Sequence, residues 1–301
     1  MESKKIKRFL KKNPGYIKWG AQKLADFLGS TPEIINAIRD DVKDSYKYYG
    51  SKKTQGFKRL FFDIETSYNI GKFWSAGYKK TIHPGDIIKE RAVICISWKW
   101  ENEDKVHNLK WDNNQCDKKM LAEFSKILAK ADEVIGHNGD RFDIPWLRTR
   151  CLKHGIQFPV YVRSLDTLKK CRSMFNFQSN KLDYIASFLG FGHKVDTGGM
   201  ELWDKIILNR DKEAMAKMIH YCDHDVVLLE DVYQAIQSYI KPATHVGMHL
   251  GNGKASCKTC GSTDTKLVKN VFTPAGTLKR KMKCKDCGAD MEISNTAYLN
   301  K

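Results

Sequence analysis

The sequence predicts an α/β protein in which a mixed β-sheet is covered by helices, with a basic helical module before it and a small cysteine-rich unit after it. The boundaries are expected at residues 1–55, 56–241 and 242–301. Three observations predict this. Residues 59–240 alternate short apolar runs with segments of helical periodicity. Residues 16–45 carry two short helical patterns around a Gly-Ser-Thr-Pro break, and the C-terminal end carries two Cys-x-x-Cys pairs. At 301 residues, 42% of them hydrophobic, the chain can bury a core in more than one domain.

The net charge of +17 is unevenly spread. Residues 1–58 hold 14 Lys/Arg against 6 Asp/Glu and residues 241–301 hold 11 against 4, whereas the middle is nearly balanced at 27 against 25. Basic ends of this kind point to a polyanion partner. A membrane surface meets the same charge argument, but no stretch approaches the roughly 20 apolar residues of a spanning helix. The opening MESKKIKRFLKK has positive charge without the apolar run of a secretory signal. Nine cysteines, scattered except for the two C-terminal pairs, argue for a reducing, cytoplasmic compartment and a metal site rather than a disulfide framework.

In the first module Leu24, Ala25, Phe27 and Leu28 repeat at helical spacing, Gly29 can stop that helix, Thr31 can cap the next and Pro32 suits its first position. Ile34, Ile35 and Ile38 are the expected inner face of the second helix. The pair resembles a helix-turn-helix, whose second helix would meet DNA. An ordinary helical hairpin that binds protein or packs on the main domain is the other reading, favoured by Glu33, Asp40 and Asp41 on that second helix. Strand-like runs follow at RLFFDI, AVICISWKW, KVHNLKW and EVIGHN. Helical periodicity follows at DKKMLAEFSKILAKA, DIPWLRTRCLKHG, KLDYIASFLG and residues 214–236.

The first strand closes as RLFFDIET, residues 59–66, placing Asp63 and Glu65 on one face. Two like charges there repel, so they are either solvated at an exposed strand end or offset by a cation or a shared proton. Later segments add acids at the edges of apolar runs. In GHNGDRFDIPWL, Asp143 sits at a helix start, where the helix dipole alone accounts for it. In HYCDHDVVLLEDVY, Tyr221 and Asp225 are four apart and share a helix face.

The set FDIET, HNxxxFDxPWL and YCxxD resembles the three motifs of the DnaQ-like, or DEDD, 3′–5′ exonucleases, most closely the proofreading domain of family B DNA polymerases, over about residues 59–240. The resemblance implies a ribonuclease H-like fold with a central five-stranded sheet. It carries over Asp63 and Glu65, Asp143, and Tyr221 with Asp225 as the catalytic set, with the four acids as ligands of two Mg²⁺ or Mn²⁺ ions. Two such cations supply a hydroxide-like nucleophile and stabilise charge on the phosphate and the leaving oxygen, and carboxylates are the ligands they prefer. Asp63 would bridge both ions, Glu65 and Asp225 would complete the water-activating site, Asp143 would hold the second ion, and Tyr221 would orient the attacking water. The family divides by a tyrosine four residues before the last aspartate or a histidine five before it, and both Tyr221 and His220 are present. On a helix these spacings leave about 40° and about 140° between side chains, which favours Tyr221, the DEDDy arrangement.

Asp223, Asp140 and His224 are expected to be solvated neighbours of the set. Asp166, Asn180 and Lys181 either touch substrate or a supporting group, or cap a helix or end a strand. Trp74, Tyr78 and Lys79 in KFWSAGYKK offer aromatics between lysines for stacking on unpaired bases, with core packing the favoured fate of Trp74.

At the C-terminal end Cys257, Cys260, Cys284 and Cys287 form C-x2-C, 23 residues, C-x2-C, with a glycine after each pair. This predicts a closed, structural tetrahedral Zn²⁺ site. The intervening segment alternates like a hairpin around Pro274-Ala275-Gly276, resembling a zinc ribbon, and Lys279, Arg280, Lys281, Lys283 and Lys285 are candidates to hold a phosphate backbone. The preceding HVGMHLGNGKAS reads as a flexible linker.

Together with the resemblance, these features predict a metal-dependent 3′–5′ exonuclease, free-standing because no polymerase domain follows. Its partner is nucleic acid, DNA favoured, approached at a 3′ end, in replication or repair beside a polymerase or repair protein in a bacterial or phage-infected cytoplasm. One alternative is a nuclease of the same fold acting on RNA or structured DNA. Another is a DNA-binding regulatory or scaffold protein with vestigial acids, against which the intact set of four acids and a tyrosine argues.

Overall fold

A computed structural model describes residues 6, 21–38, 56–75, 77, 81–101 and 103–301. Its elements in chain order are α1 (Ala21–Leu28), β1 (Arg59–Thr66), β2 (Ile70–Gly71), β3 (Ile87–Lys89), β4 (Val93–Trp100), β5 (His107–Lys110), α2 (Lys118–Leu128), β6 (Glu133–Gly136), α3 (Asp143–His154) and β7 (Arg163–Asp166). There follow α4 (Thr167–Met174), α5 (Leu182–Phe188), α6 (Met200–Ile207), α7 (Lys212–Ile236), α8 (Val246–His249), β8 (Thr265–Phe272), β9 (Leu278–Cys284), β10 (Asp290–Ser294) and α9 (Asn295–Leu299). Two compact units are distinguished. One is Arg59–Asp166 with Lys194–Val227; the other is Thr167–His193 with Leu228–Lys301 and the described part of Met1–Lys58.

The first unit is built on a five-stranded mixed sheet of order β5-β4-β1-β6-β7. β1 lies at its centre, antiparallel to β4 and parallel to β6, and β6 continues parallel to β7. The sequence explains the placement. Leu60, Phe61, Phe62 and Ile64 are all buried, the continuous apolar run of a strand covered on both faces. Leu60, Phe62 and Ile64 join Val93, Ile96 and Trp98 under Met120, Leu121, Phe124 and Leu128 of α2 and Leu147 and Cys151 of α3. Ile94 and Cys95 pack instead with Leu202, Ile206, Met215, Met218 and Cys222 of α6 and α7. The apolar spacing on α2 explains its docking, and Gly155 stops α3 at φ 65°, the left-handed conformation a helix C-terminus favours. The buried Arg59 is paired, reaching Glu101 at 2.6 Å and Glu133 at 2.7 Å.

The strands and helices read from periodicity are present, and the five-stranded sheet is as the resemblance implied. β7, α4, α6 and the small β2/β3 hairpin were not anticipated. β7 is only RSLD, with two of its four residues buried, too short to show alternation.

In the second unit α1 is followed by a helical segment at residues 32–38. Gly29 has φ 61°, and Ser30 N–H bonds Ala25 C=O at 2.9 Å, closing α1 as expected. Leu24, Ala25, Leu28, Ile35 and Ile38 are buried with Ile6, but Phe27 and Ile34 are exposed, Ile34 contrary to its inner-face assignment. Each lies one residue off the buried stripe, about 100° around the helix. Asp40, Asp41 and most of the basic residues of this module lie outside the described residues. Lys181 sits at the N-cap position of α5, preceded by Asn180.

The C-terminal strands form a sheet of order β10-β9-β8, with a β8/β9 hairpin closing at Gly276, φ 76°. Met282, Met291 and Ile293 pack under α9 on its inner face. The segment expected to be a flexible linker is folded instead. Val246 N–H bonds Lys258 C=O at 3.0 Å, Asn252 donates to Gly261 C=O at 2.9 Å, and Val246 is fully buried. A Cβ on Gly247 would come within 1.8 Å of Ser256 Oγ, so glycine is what lets this turn lie against the start of the first cysteine pair.

Candidate metal-binding acid cluster

β1 carries Asp63 and Glu65 on one face, aligned across β4 with Ser97 and Cys95. α7 crosses the same face, Cys222 Sγ lying 3.5 Å from Asp63 C=O. One turn along, Asp225 completes a cluster in which Asp63, Glu65 and Asp225 each offer an oxygen within 4.8 Å of the others. Asp143, the first residue of α3, accepts a bond from Ile64 N–H at 3.2 Å, so the fourth acid is tied to the backbone between the first two. The three distant segments therefore meet. Tyr221 is half-buried on the cluster side of α7, whereas His220 is exposed.

The electrostatics of this arrangement are unfavourable for four bare carboxylates. Burial, then repulsion from Asp143, Glu65 and Asp225, pushes Asp63 well above the usual carboxylate range. Burial and Asp225 push Glu65 up to about 8, and burial pushes Asp143 up to about 7 against the hydrogen bonds it accepts. Burial also raises Asp225, opposed by Lys194. Asp225 Oδ1 is buried with no hydrogen-bond partner. An orphaned oxygen beside three crowded acids fits a divalent cation, which would deprotonate the group and satisfy that oxygen.

The sequence reading missed Lys194. Its Nζ lies 2.5 Å from Asp225 Oδ2, donates to Tyr221 Oη at 3.2 Å and sits 5.2 Å from the Tyr221 ring centre. Burial works to lower its pKa, but Asp225 and Asp63 outweigh this and hold it above the usual lysine value. A lysine in a Gly-rich loop, GHKVDTGG, follows no helical or strand period, so pattern gave no signal for it.

The neighbours sort plainly. Asp166 accepts from Asn138 N–H at 3.0 Å and Asp140 N–H at 3.3 Å, holding the turn that delivers Asp143; its role is to position. Asp223, expected to be solvated, is bound by Ser97 Oγ at 2.6 Å and Asn108 Nδ2 at 3.0 Å, because α7 turns it onto the sheet rather than into solvent. Trp74, expected in the core, is fully exposed, with Phe73 beside it, in the loop between β2 and β3. Tyr78 and Lys79 lie outside the described residues. A second grouping, Cys116, Asp117 and His154, has metal-like proximity. Asp117, however, is occupied by Arg150 at 2.7 and 2.9 Å, His154 at 2.7 Å and Val93 N–H at 3.1 Å, so it is a structural bracket.

In the ribbon, all four cysteines are buried and their sulfurs lie within 4.8 Å of one another, Cys257 to Cys287 at 3.5 Å and Cys260 to Cys284 at 3.7 Å. Metal–sulfur bonds of about 2.3 Å in a tetrahedron require sulfur separations of about 3.8 Å. A disulfide would need about 2 Å. Gly261 and Gly288 have φ 78° and 71°, the left-handed conformation that turns each knuckle.

A first prediction follows from the raised carboxylates. In the folded, Mg²⁺- and Mn²⁺-free chain Glu65 and Asp143 hold protons that the unfolded chain has already released between pH about 4 and about 8, so stability falls as pH rises through that window. Thermal melting should drop on the order of 5 °C from pH 5 to pH 8, and added Mn²⁺ should recover more of it at pH 8 than at pH 5. A flat profile would contradict the crowding of the four acids.

The fold is RNase H-like, and residues 89–237 match the RNase_H_2 family of the RNase H superfamily. Asp63 and Glu65 precede the matched stretch and are brought into it by the pairing of β1 with β4 and β6. In sequence the chain is similar to DNA polymerases: 28% identical over 145 residues to that of Pyrococcus glycovorans, covering 46% of this chain and 18% of the polymerase, and 31% identical over 149 residues to that of Thermococcus gorgonarius, covering 42% and 18%. The chain spans less than a fifth of the length of these two relatives, and their archaeal sources lend nothing to a bacterial or phage setting. The family B DNA polymerase of Pyrobaculum calidifontis aligns in structure with a TM-score of 0.48 at 14% identity, covering 72% of this chain and 31% of that one. No described helix is long and apolar enough to cross a membrane.

Proposed function

We propose that the chain is a metal-dependent 3′–5′ exonuclease of nucleic acid, DNA favoured, working at the Asp63, Glu65, Asp143 and Asp225 cluster. The observation that carries this reading is the convergence of three of these acids within 4.8 Å, with the fourth bonded to the strand between two of them. The relation to DNA polymerases, proteins that handle a 3′ end, supports the substrate and polarity. Mg²⁺ or Mn²⁺ held by the four acids would supply Lewis-acid stabilisation of the phosphate and a water acidic enough to attack it.

The protein groups do the rest. Asp225 and Glu65 accept the hydrogen bonds of the attacking water, and the Tyr221 hydroxyl orients it. Tyr221 is no proton acceptor, since burial and Asp225 raise its pKa further above its ordinary value near 10. Lys194 holds Tyr221 Oη and Asp225 in one arrangement and places positive charge where the phosphate must approach. The Cys257, Cys260, Cys284 and Cys287 shell is assigned to one structural Zn²⁺. The three-part organisation, with a helix-turn-helix-like module first, is part of this proposal.

The decisive experiment follows single strands and duplexes of DNA and RNA, labelled at the 5′ or the 3′ end, in Mg²⁺ or Mn²⁺. A 5′-labelled DNA strand should shorten one nucleotide at a time, while a 3′ label should be released at once as mononucleotide. Internal cuts or a preference for RNA would replace the reading with the corresponding nuclease; no cleavage of any strand would favour the scaffold. Within this reaction Tyr221→Phe should lower turnover about 10–100-fold and His220→Ala less than about 2-fold, and the reverse order would reject the DEDDy assignment.

A further inference from the structure

The pairing of the C-terminal sheet puts side chains together that the sequence separates. Across its three strands the registers run Lys266–Lys283–Asp290, Lys269–Lys281–Glu292 and Val271–Lys279–Ser294. These residues share the outer face, because Leu267, Met282 and Met291, and Asn270, Arg280 and Ile293, occupy the alternate registers, of which Met282, Met291 and Ile293 are covered by α9. Lys266 and Lys269 are three apart and would point to opposite faces of a regular strand. The bulge between Leu267 and Lys269 adds one residue and returns Lys269 to the face of Lys266.

The outer face therefore carries five lysines in two columns, four of them exposed and Lys279 half-buried. None forms an ion pair among the described residues. Its acids, Asp290 and Glu292, stand beyond β9 on the third strand, so the column on β8 faces only other lysines. Like charges directly opposite each other destabilise a sheet. The sequence-based list of basic candidates changes accordingly. Arg280 turns inward to Asn270 at 2.5 Å, Asn295 at 2.7 Å and the Tyr298 ring, and Lys285 pairs with Asp264 at 2.8 Å.

We infer that this lysine face is a binding surface for the sugar-phosphate backbone of a nucleic acid strand, read without regard to sequence. Lysines along one strand face repeat about every 7 Å, a spacing that meets successive phosphates, and point-charge lysines hold phosphate without identifying bases. β8 also exposes Val268 at the bulge and Phe272 at its end; the five lysines outnumber them, which favours a phosphate backbone over a lipid layer as the occupant. The inference does not depend on bond cleavage.

The test uses the full chain without added divalent ion and a fluorescein-labelled mixed-sequence oligonucleotide, single-stranded and duplex, titrated between 50 and 200 mM salt. Each phosphate contact contributes roughly 0.7–0.9 to the slope of log affinity against log salt, so Lys266→Gln/Lys269→Gln/Lys281→Gln should flatten the slope by about 2 and weaken binding about 10-fold at the lower salt. The matching Arg triple should bind like the parent, as should Lys119→Gln/Lys130→Gln on and after α2. Unchanged binding in the Gln triple overturns the inference. So does a loss confined to a parallel titration with phosphatidylserine vesicles, which would make the face a membrane contact, or equal weakening in the Lys119/Lys130 control.

Discussion

Asp63→Ala is expected to reduce hydrolysis of a 5′-labelled DNA strand in Mg²⁺ or Mn²⁺ by about 10³–10⁴-fold, equivalent to about 4–6 kcal/mol of transition-state stabilisation. Asp63 is the acid most embedded in the cluster: it is on the central strand, and Asp143, Glu65 and Asp225 all act on its ionisation. Removing it withdraws the ligand between the other three. The same substitution removes a half-buried, crowded carboxyl, so the metal-free protein should be more stable, by on the order of 1–2 kcal/mol, and melt higher, the usual exchange between stability and a strained site. Loss of activity with a raised melting temperature identifies a site held under electrostatic stress. Loss of activity with lost stability would mean that Asp63 is structural, and the proposed site would fall.

The second large effect is expected in the ribbon. Cys284→Ser, or prolonged exposure to a strong zinc chelator, should unfold residues 257–294, because a small three-stranded sheet depends on its metal and such sites contribute about 10 kcal/mol or more of apparent binding energy to folding. Hydrogen exchange would show it as lost protection of the Met282, Met291 and Ile293 amides, all on strands beside the cysteine shell. Elemental analysis should find one Zn²⁺ per chain, lost in the variant. With all four shell positions filled by cysteine, bond cleavage on a short strand at saturating concentration should persist. Simultaneous loss of cleavage would contradict a purely structural metal.

Both expectations rest on features legible in the sequence to different degrees. The spacing of the four cysteines and the alternation of RLFFDIET are local, so composition and period exposed them. The meeting of Asp63, Asp143 and Asp225 is not local, and only the three-motif resemblance suggested it. The preference for Tyr221 over His220 rests on helical angle, since both lie on one continuous helix, and stays a proposal. Lys194 escaped because loop residues obey no period. Trp74 and Ile34 were misassigned because an apolar side chain reads as core unless the direction of its backbone is known. The lysine face was hidden by one added residue at Val268, a defect in pairing that alternation rules cannot see from one strand.

The placement of the acids also bears on how the protein comes into being. Asp63 and Cys222, neighbours in space, are 159 positions apart along the chain. On the ribosome, β1 emerges long before α7, so a nascent or prematurely terminated product holds the first two acids without the helix that closes the cluster. Such fragments lack the assembled cluster, so any chemistry that needs all four acids must wait until synthesis has passed Asp225.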